Sequence, residues 1–214
     1  MADDFKKGLD GLDRGPEASD TSENASAAPT TEHHPSVEAL RGQFGDAIQL
    51  HTVMSGDEHV VYVDRARSFE ILRWLKQSPE HRFNLCKDIT AVDYGGNRPL
   101  ELWYELWSIS NKRQLRVKVV LPINDLDVDS AVPIWQTANW LEREVYDLFG
   151  INFRNHPDLR RIMMPDNYAE GHPLRKDFPL RGRFTRAEQT RRALSMSVED
   201  FYTPDEMDVG GAVE

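Results

Sequence analysis

Two runs in the middle of the chain alternate between apolar and polar side chains, and this alternation limits the fold more than any other feature. In the run from Leu100 to Ile109, the residues Leu100, Leu102, Tyr104 and Leu106 fall on one side. In the run from Leu115 to Leu121, the residues Leu115, Val117, Val119 and Leu121 oppose Arg116 and Lys118. A period of two is the mark of a strand with one buried face. Asn111-Lys112-Arg113 between them reads as a hairpin loop. Upstream, Ala47 to Met54 and His59 to Val63 read as two more strands around the turn Ser55-Gly56-Asp57. Phe83 to Tyr94 is rich in strand formers and ends at Gly95-Gly96-Asn97. Helical spacing predicts a short helix over Val37 to Phe44 and another from the N-cap Ser68 to about Gln77, with Phe69, Leu72 and Leu75 on one face. Consecutive strands joined by short turns and broken by one helix give an α+β fold: a mostly antiparallel sheet with helices on one face.

After the strands the pattern changes. Pro133 stands where a helix can open. Ile134, Ala138, Leu141, Val145 and Leu148 recur at helical spacing, and Gly150 suits a C-terminal cap. From Arg154 to Arg192 the chain carries 10 basic and 5 acidic residues and is divided by Pro157, Pro165, Pro173 and Pro179. Prolines at that spacing forbid a long helix. An irregular stretch of this length that also carries Leu159, Ile162, Met163, Met164, Tyr168, Leu174, Phe178 and Leu180 is expected to lie bound against something. Four regions follow. Residues 1–36 are a disordered acidic tail, 37–153 the α+β domain, 154–198 an extended proline-divided basic arm for contacts between subunits, and 199–214 a second acidic tail.

Charge and cysteine usage exclude several functions. The net charge is -10, with -5 in residues 1–36 and -6 in residues 199–214, so the body is nearly neutral and offers no excess of cations to a nucleic-acid backbone. The longest uncharged run, Ser130 to Leu141, is 12 residues, short of the ~20 that a membrane-spanning helix needs. No secretory signal is read at the start. Cys86 is the single cysteine and by itself builds neither a disulfide nor an iron–sulfur site. His33-His34 is expected to be an exposed pair in the flexible tail. No Walker-type loop and no Gly-x-Ser-x-Gly elbow occurs. Trp103 and Trp107 share a strand face with Glu101 and Glu105 and are expected to pack beneath a helix or a partner.

The charged residues that remain concentrate in one region: Glu142, Arg143, Glu144, Asp147, His156, Asp158, Arg160, Arg161, His172, Arg175, Lys176 and Asp177. Glu144 and Asp147, three apart on a helix, are expected to share a face. His156, His172 and the carboxylates could compose a metal-dependent hydrolase, but neither histidine lies in the predicted helix and no His-Glu-x-x-His occurs. Arginine outnumbers histidine here, so ion pairing within the chain or with a partner is the preferred reading. His156-Pro157-Asp158 also occurs in J-domain co-chaperones, but a sheet protein gives it the wrong context.

Trp140-Leu141-Glu142-Arg143-Glu144-Val145-Tyr146-Asp147-Leu148-Phe149-Gly150-Ile151, His156-Pro157-Asp158-Leu159-Arg160-Arg161-Ile162-Met163 and Gly171-His172-Pro173-Leu174-Arg175-Lys176-Asp177-Phe178-Pro179-Leu180 together resemble the signature of the C-type subunit of respiratory NADH–quinone oxidoreductase, complex I, in its unfused form. The resemblance implies a cofactor-free structural subunit of the peripheral arm, without catalytic residues of its own. It would support electron transfer from NADH to quinone coupled to proton translocation, while flavin, iron–sulfur clusters, NADH and quinone are bound by other subunits. Its partners would be the D-type quinone-site subunit and neighbouring cluster-bearing subunits, on the cytoplasmic face of the bacterial inner membrane, with no membrane span of its own. The twelve charged residues take structural and interface roles on this reading. An equivalent scaffold in a membrane-bound hydrogenase or another quinone-reducing complex is the alternative.

Overall fold

A computed structural model describes residues 33–165, 168 and 170–180; the expected acidic tails, apart from residues 33–36, and the arm beyond residue 180 lie outside the described residues. The alternating runs pair as their pattern requires. Strands β1 (Ile48–Met54) and β2 (Glu58–Val63) form an antiparallel hairpin. Strands β3 (Leu85–Val92), β4 (Leu100–Ser108) and β5 (Arg113–Leu121) form an antiparallel meander. The five join in the order β1-β2-β5-β4-β3. The seam between the two parts is β2 against β5, and it is parallel, with Val61 opposite Val117 and Val63 opposite Val119. A short parallel pair, β6 (Asp127–Asp129) with β7 (Asn152–Arg154), lies apart from this sheet.

The buried face of the sheet carries Val61, Val63, Leu102, Tyr104, Leu106, Leu115, Val117 and Val119. Helices α1 (Pro35–Phe44), α2 (Ser68–Gln77) and α3 (Ala138–Phe149) bring Leu40, Phe44, Ile71, Leu72, Leu75, Val145 and Phe149 to the same core. Each of these side chains contributes about 1.5–3 kcal/mol on leaving water. The mostly antiparallel sheet with helices on one face is the fold class that the alternation implies.

Three local expectations need correction. Pro133 does not open a helix. Residues Ala131 to Gln136 make tight turns, with the amides of Ile134 and Trp135 both donating to Ala131 O at 2.9 and 2.8 Å, and α3 starts at Ala138. The cause is Trp135, whose indole is buried and donates to Phe83 O at 3.1 Å, pulling that segment into the core before the helix begins. The first helix starts at Pro35 instead of Val37, because Pro is favoured in the first turn. Only His33 of the histidine pair is exposed. His34 is 93 % buried against the β1–β2 hairpin.

The tryptophans lie on the other side of the sheet. The face holding Glu101, Trp103, Glu105 and Trp107 is turned away from the core, and among the described residues no helix covers it. Its charges are shielded by neighbouring side chains. Lys118 Nζ lies 3.1 Å from Glu101, donates to Tyr62 Oη at 3.1 Å, and sits 4.0 Å from the centre of the Trp103 ring. Arg116 pairs with Glu105 and with Glu58 while its guanidinium lies 4.8 Å from the centre of the same ring. Aromatic rings and aliphatic stems thus take the place of a second layer.

A candidate interface built on the last helix

Helix α3 ends at Gly150, whose φ of +78° is open to glycine without strain. Four carbonyls at the end of any helix lack partners within it. Here all four find one. Gly150 N–H donates to Tyr146 O at 2.9 Å, and His172 Nδ1–H to Asp147 O at 2.9 Å. Leu174 N–H donates to Leu148 O at 3.0 Å, and Arg175 Nη1 to Phe149 O at 3.4 Å. The segment Gly171 to Arg175 is therefore the cap of α3, and Arg175 adds a cation where the helix dipole favours one. The fit is close: a Cβ on residue 150 would stand 2.6 Å from His172 Cδ2.

Asp147 organises the chain between β7 and this cap. Its carboxylate is fully buried. Oδ2 accepts the backbone N–H groups of Ile162, Met163 and Met164 at 3.1, 2.7 and 2.7 Å, and Oδ1 accepts Arg161 Nη1 at 3.0 Å. Arg161 also donates to Gly171 O at 3.3 Å, so one guanidinium ties the two halves of the arm together. One turn earlier, Arg143 donates to Arg160 O and Arg161 O, both at 3.2 Å. A proline-divided segment has few regular backbone bonds of its own, and these side chains supply what it lacks.

Glu142 faces the other way, into the core. It accepts Ser130 Oγ–H and Ala131 N–H, both at 2.6 Å, and burial still pushes its carboxyl up to about 7. His156 lies beside it with Nε2 4.0 Å away. Asp158 N–H donates to His156 Nδ1 at 3.0 Å, so Nε2 carries the proton and donates to Asn139 O at 3.2 Å, and burial lowers the ring's pKa. Asp93 links the cap to the β3–β4 turn by accepting Gly95 N–H at 2.8 Å and Lys176 N–H at 2.9 Å, with Arg175 Nε 3.6 Å away.

The twelve charged residues thus divide. Glu142, Arg143, Asp147, His156, Arg161, His172 and Arg175 make contacts inside this chain. Glu144, Asp158, Arg160, Lys176 and Asp177 are exposed, although Asp158 pairs with Arg160 at 3.0 Å, Asp177 lies 3.6 Å from Arg175 and the backbone of Lys176 is tied to Asp93. Glu144 and Asp147 do not come together, since the first points to solvent and the second inward. Of the apolar residues that the sequence assigned to the arm, Met163 is 57 % and Leu174 50 % exposed, and sequence reasoning missed a third on the helix, Trp140 at 60 %. Trp140 stands on the polar side of α3, with Arg143 5.2 Å from its ring centre. A tryptophan out of phase with the apolar period was the available signal. Among the described residues no group of three His, Cys, Asp or Glu could hold a metal, and no helix is long and apolar enough to cross a membrane. The buried thiol of Cys86 is pushed up to about 12 by desolvation and is not a ready nucleophile.

Comparison with known proteins follows the same elements. The chain is 51% identical to the C-type subunit of the NADH-quinone oxidoreductase of Geobacter sulfurreducens over 127 residues, which is 58% of this chain and 76% of that one. It is 45% identical to the corresponding subunit of Geotalea uraniireducens over 156 residues, 72% of this chain and 93% of that one. A solved structure described as Nqo5 of the trypsin-resistant fragment (1-134) superposes with a TM-score of 0.50 at 31% identity, over 57% of this chain and 96% of that one. A chain of an archaeal membrane-bound sulfane sulfur reductase superposes with a TM-score of 0.59 at 22% identity, over 79% of this chain and 95% of that one, a likeness of fold alone. The family model that matches spans residues 61–184, from inside β2 to just past the cap of α3, and the chain accordingly belongs to the family of the respiratory-chain NADH dehydrogenase 30 Kd subunit.

Proposed function

We propose that this chain is the cofactor-free scaffold subunit of the peripheral arm of an NADH–quinone oxidoreductase. On this reading the surface formed by α3 and the arm seats a quinone-site subunit, with cluster-bearing subunits nearby. The observation that carries it is the division of labour around Asp147. Buried charges hold the irregular arm in one path along α3, and that path leaves Trp140, Met163, Leu174 and Arg160 turned outward together with Glu144 and Asp177. Exposed apolar side chains with an aromatic among them and exposed charges on the same helix and arm have the composition of a specific contact between subunits.

The chemistry assigned to this chain is positional. Electron transfer needs redox centres on neighbouring subunits held at constant separation, and an arm tied to α3 by hydrogen bonds from Arg160 to Arg175 gives a rigid seat for them. The names of the relatives support NADH as donor and quinone as acceptor. On this reading the protein sits on the cytoplasmic face of the membrane, attached through the complex. Affinity purification of the tagged full chain from gently solubilised membranes, followed by mass spectrometry, tests all of this at once. Recovery of a quinone-site subunit with flavin- and cluster-bearing partners is expected. A nickel-site hydrogenase subunit in their place, or a clean monomer carrying stoichiometric metal, would overturn it.

A further inference from the structure

Away from the arm, four histidines from four parts of the chain meet at the N-terminal end of α1. His34, the residue before α1, has its ring centre 4.7 Å from that of His59 on β2, and His59 stacks on His51 of β1 at 5.4 Å. His81, from the loop after α2, lies with Nδ1 3.1 Å from Ser36 Oγ and packs on Trp74 at 5.1 Å. The hydrogen bonds run in one direction. Arg41 donates to His51 Nδ1 at 3.4 Å, which leaves His51 Nε2–H to donate to His59 Nδ1 at 3.1 Å, and His59 Nε2 faces Asp57 at 3.6 Å. His34 is outside this chain of bonds. Both of its ring nitrogens are buried without a hydrogen-bond partner.

The charges that reach His34 are unfavourable to a proton there. From β2, β1 and the loop after α2 come His59, His51 and His81, and from the start of β5 comes Arg113. The carboxylates of the neighbourhood are turned to other groups: Asp57 to His59, Glu38 to His33 at 2.7 Å, and Glu80 to His81. We propose that this cluster is a proton-operated latch, in which protonation of His34 releases α1 from the β1–β2 hairpin. The geometry gives the direction. Among the described residues no carboxylate is left for a protonated His34 to meet; it stands near three imidazoles and a guanidinium and is relieved by moving to water. Release turns Val37, Leu40 and Phe44, which are buried while α1 is docked, toward solvent.

The sign follows from linkage. Burial, followed by the neighbouring rings and Arg113, lowers the pKa of His34 from 6.5 to about 4 while α1 is docked. A lowered histidine favours docking above about pH 6.5, and this advantage is lost as pH falls toward 4. Between pH 7.5 and 5.0 the docking equilibrium of α1 should weaken about 30-fold.

Hydrogen exchange of the full chain, rescaled for the intrinsic pH dependence of amides, reads this directly. Peptides covering residues 35–47 should lose about 30-fold in protection between pH 7.5 and 5.0, while peptides covering 100–121 hold theirs. In His34→Leu the drop should shrink to a few-fold. The proposal fails if both regions change together, or if the drop persists undiminished in the variant. Should His34→Leu not fold, the ring resonance of His34 in the unaltered chain decides. Titration below pH 5 is expected, and titration above pH 6 would sink the latch.

Discussion

Asp147 accepts four hydrogen bonds with no water-facing surface, and its replacement reaches well beyond one side chain. Asp147→Ala leaves three N–H groups and the Arg161 guanidinium without their acceptor, and should cost about 3–5 kcal/mol of folding stability. Urea denaturation of the purified chain measures it, and a loss under 1 kcal/mol would show that the arm does not depend on this carboxylate. Glu142 gives the opposite kind of prediction, one about pH. Its folded pKa of about 7 lies above the usual carboxylate value because burial outweighs its two hydrogen bonds. A raised folded pKa means stability that is complete below the unfolded value and lost as pH rises through the folded one. The chain should therefore lose about 3 kcal/mol from this group between pH 4.5 and 8. Glu142→Gln should flatten that slope, and an unchanged slope by denaturation at pH 5 and pH 8 would place the titration elsewhere. None of this was readable in the sequence, where Glu142 and Asp147 were two members of a charged cluster. Which charges turn inward depends on how the arm closes over α3, and a helical wheel ends at the helix.

At the scale of the element, α3 is where reading and structure diverge most. Its apolar period was plain in Ala138, Leu141 and Val145, and Gly150 was legible as its end. The strands were more legible still. Leu100–Ser108 and Arg113–Leu121 emerged nearly at their sequence bounds, because alternation over a half-buried surface leaves one register that hides the apolar side. The start of α3 was misplaced because Trp135 buries outside the helical period, which Pro133 alone does not reveal. The far-end cap was invisible for a different reason: its donors come from residues 171–175, more than twenty positions away along an irregular path. Gly150→Ala tests that cap. A side chain there has both an unfavourable φ and a clash with His172, so the variant should lose about 1–3 kcal/mol. Faster trypsin cleavage within residues 160–180 should accompany the loss, and cleavage at the unaltered rate would mean that His172 moves aside without consequence.

Across the whole molecule, folding and assembly should separate under mutation. Trp140 is mostly exposed and touches Arg143 alone among the ring contacts described, so Trp140→Ala should change the denaturation midpoint by less than about 0.5 kcal/mol. The same variant should weaken recovery of partner subunits by tenfold or more, as expected of an aromatic anchor. Normal recovery would remove this surface from the interface. The two buried titrations also oppose each other, Glu142 favouring acid and His34 favouring alkali, so their sum should make the isolated chain most stable at pH ~5.5. The parallel seam between β2 and β5 has a consequence of another kind, for the order of events at the ribosome. The β1–β2 hairpin is synthesised first, yet β2 cannot find its second neighbour until Leu121 has been added. At ~5–20 residues per second the wait from Val63 to Leu121 lasts on the order of 3–12 s. Through that interval Val60 to Val63 stand as an open apolar edge in a growing chain. The nascent protein is therefore most in need of a chaperone in mid-synthesis, and ceases to be so once the meander closes.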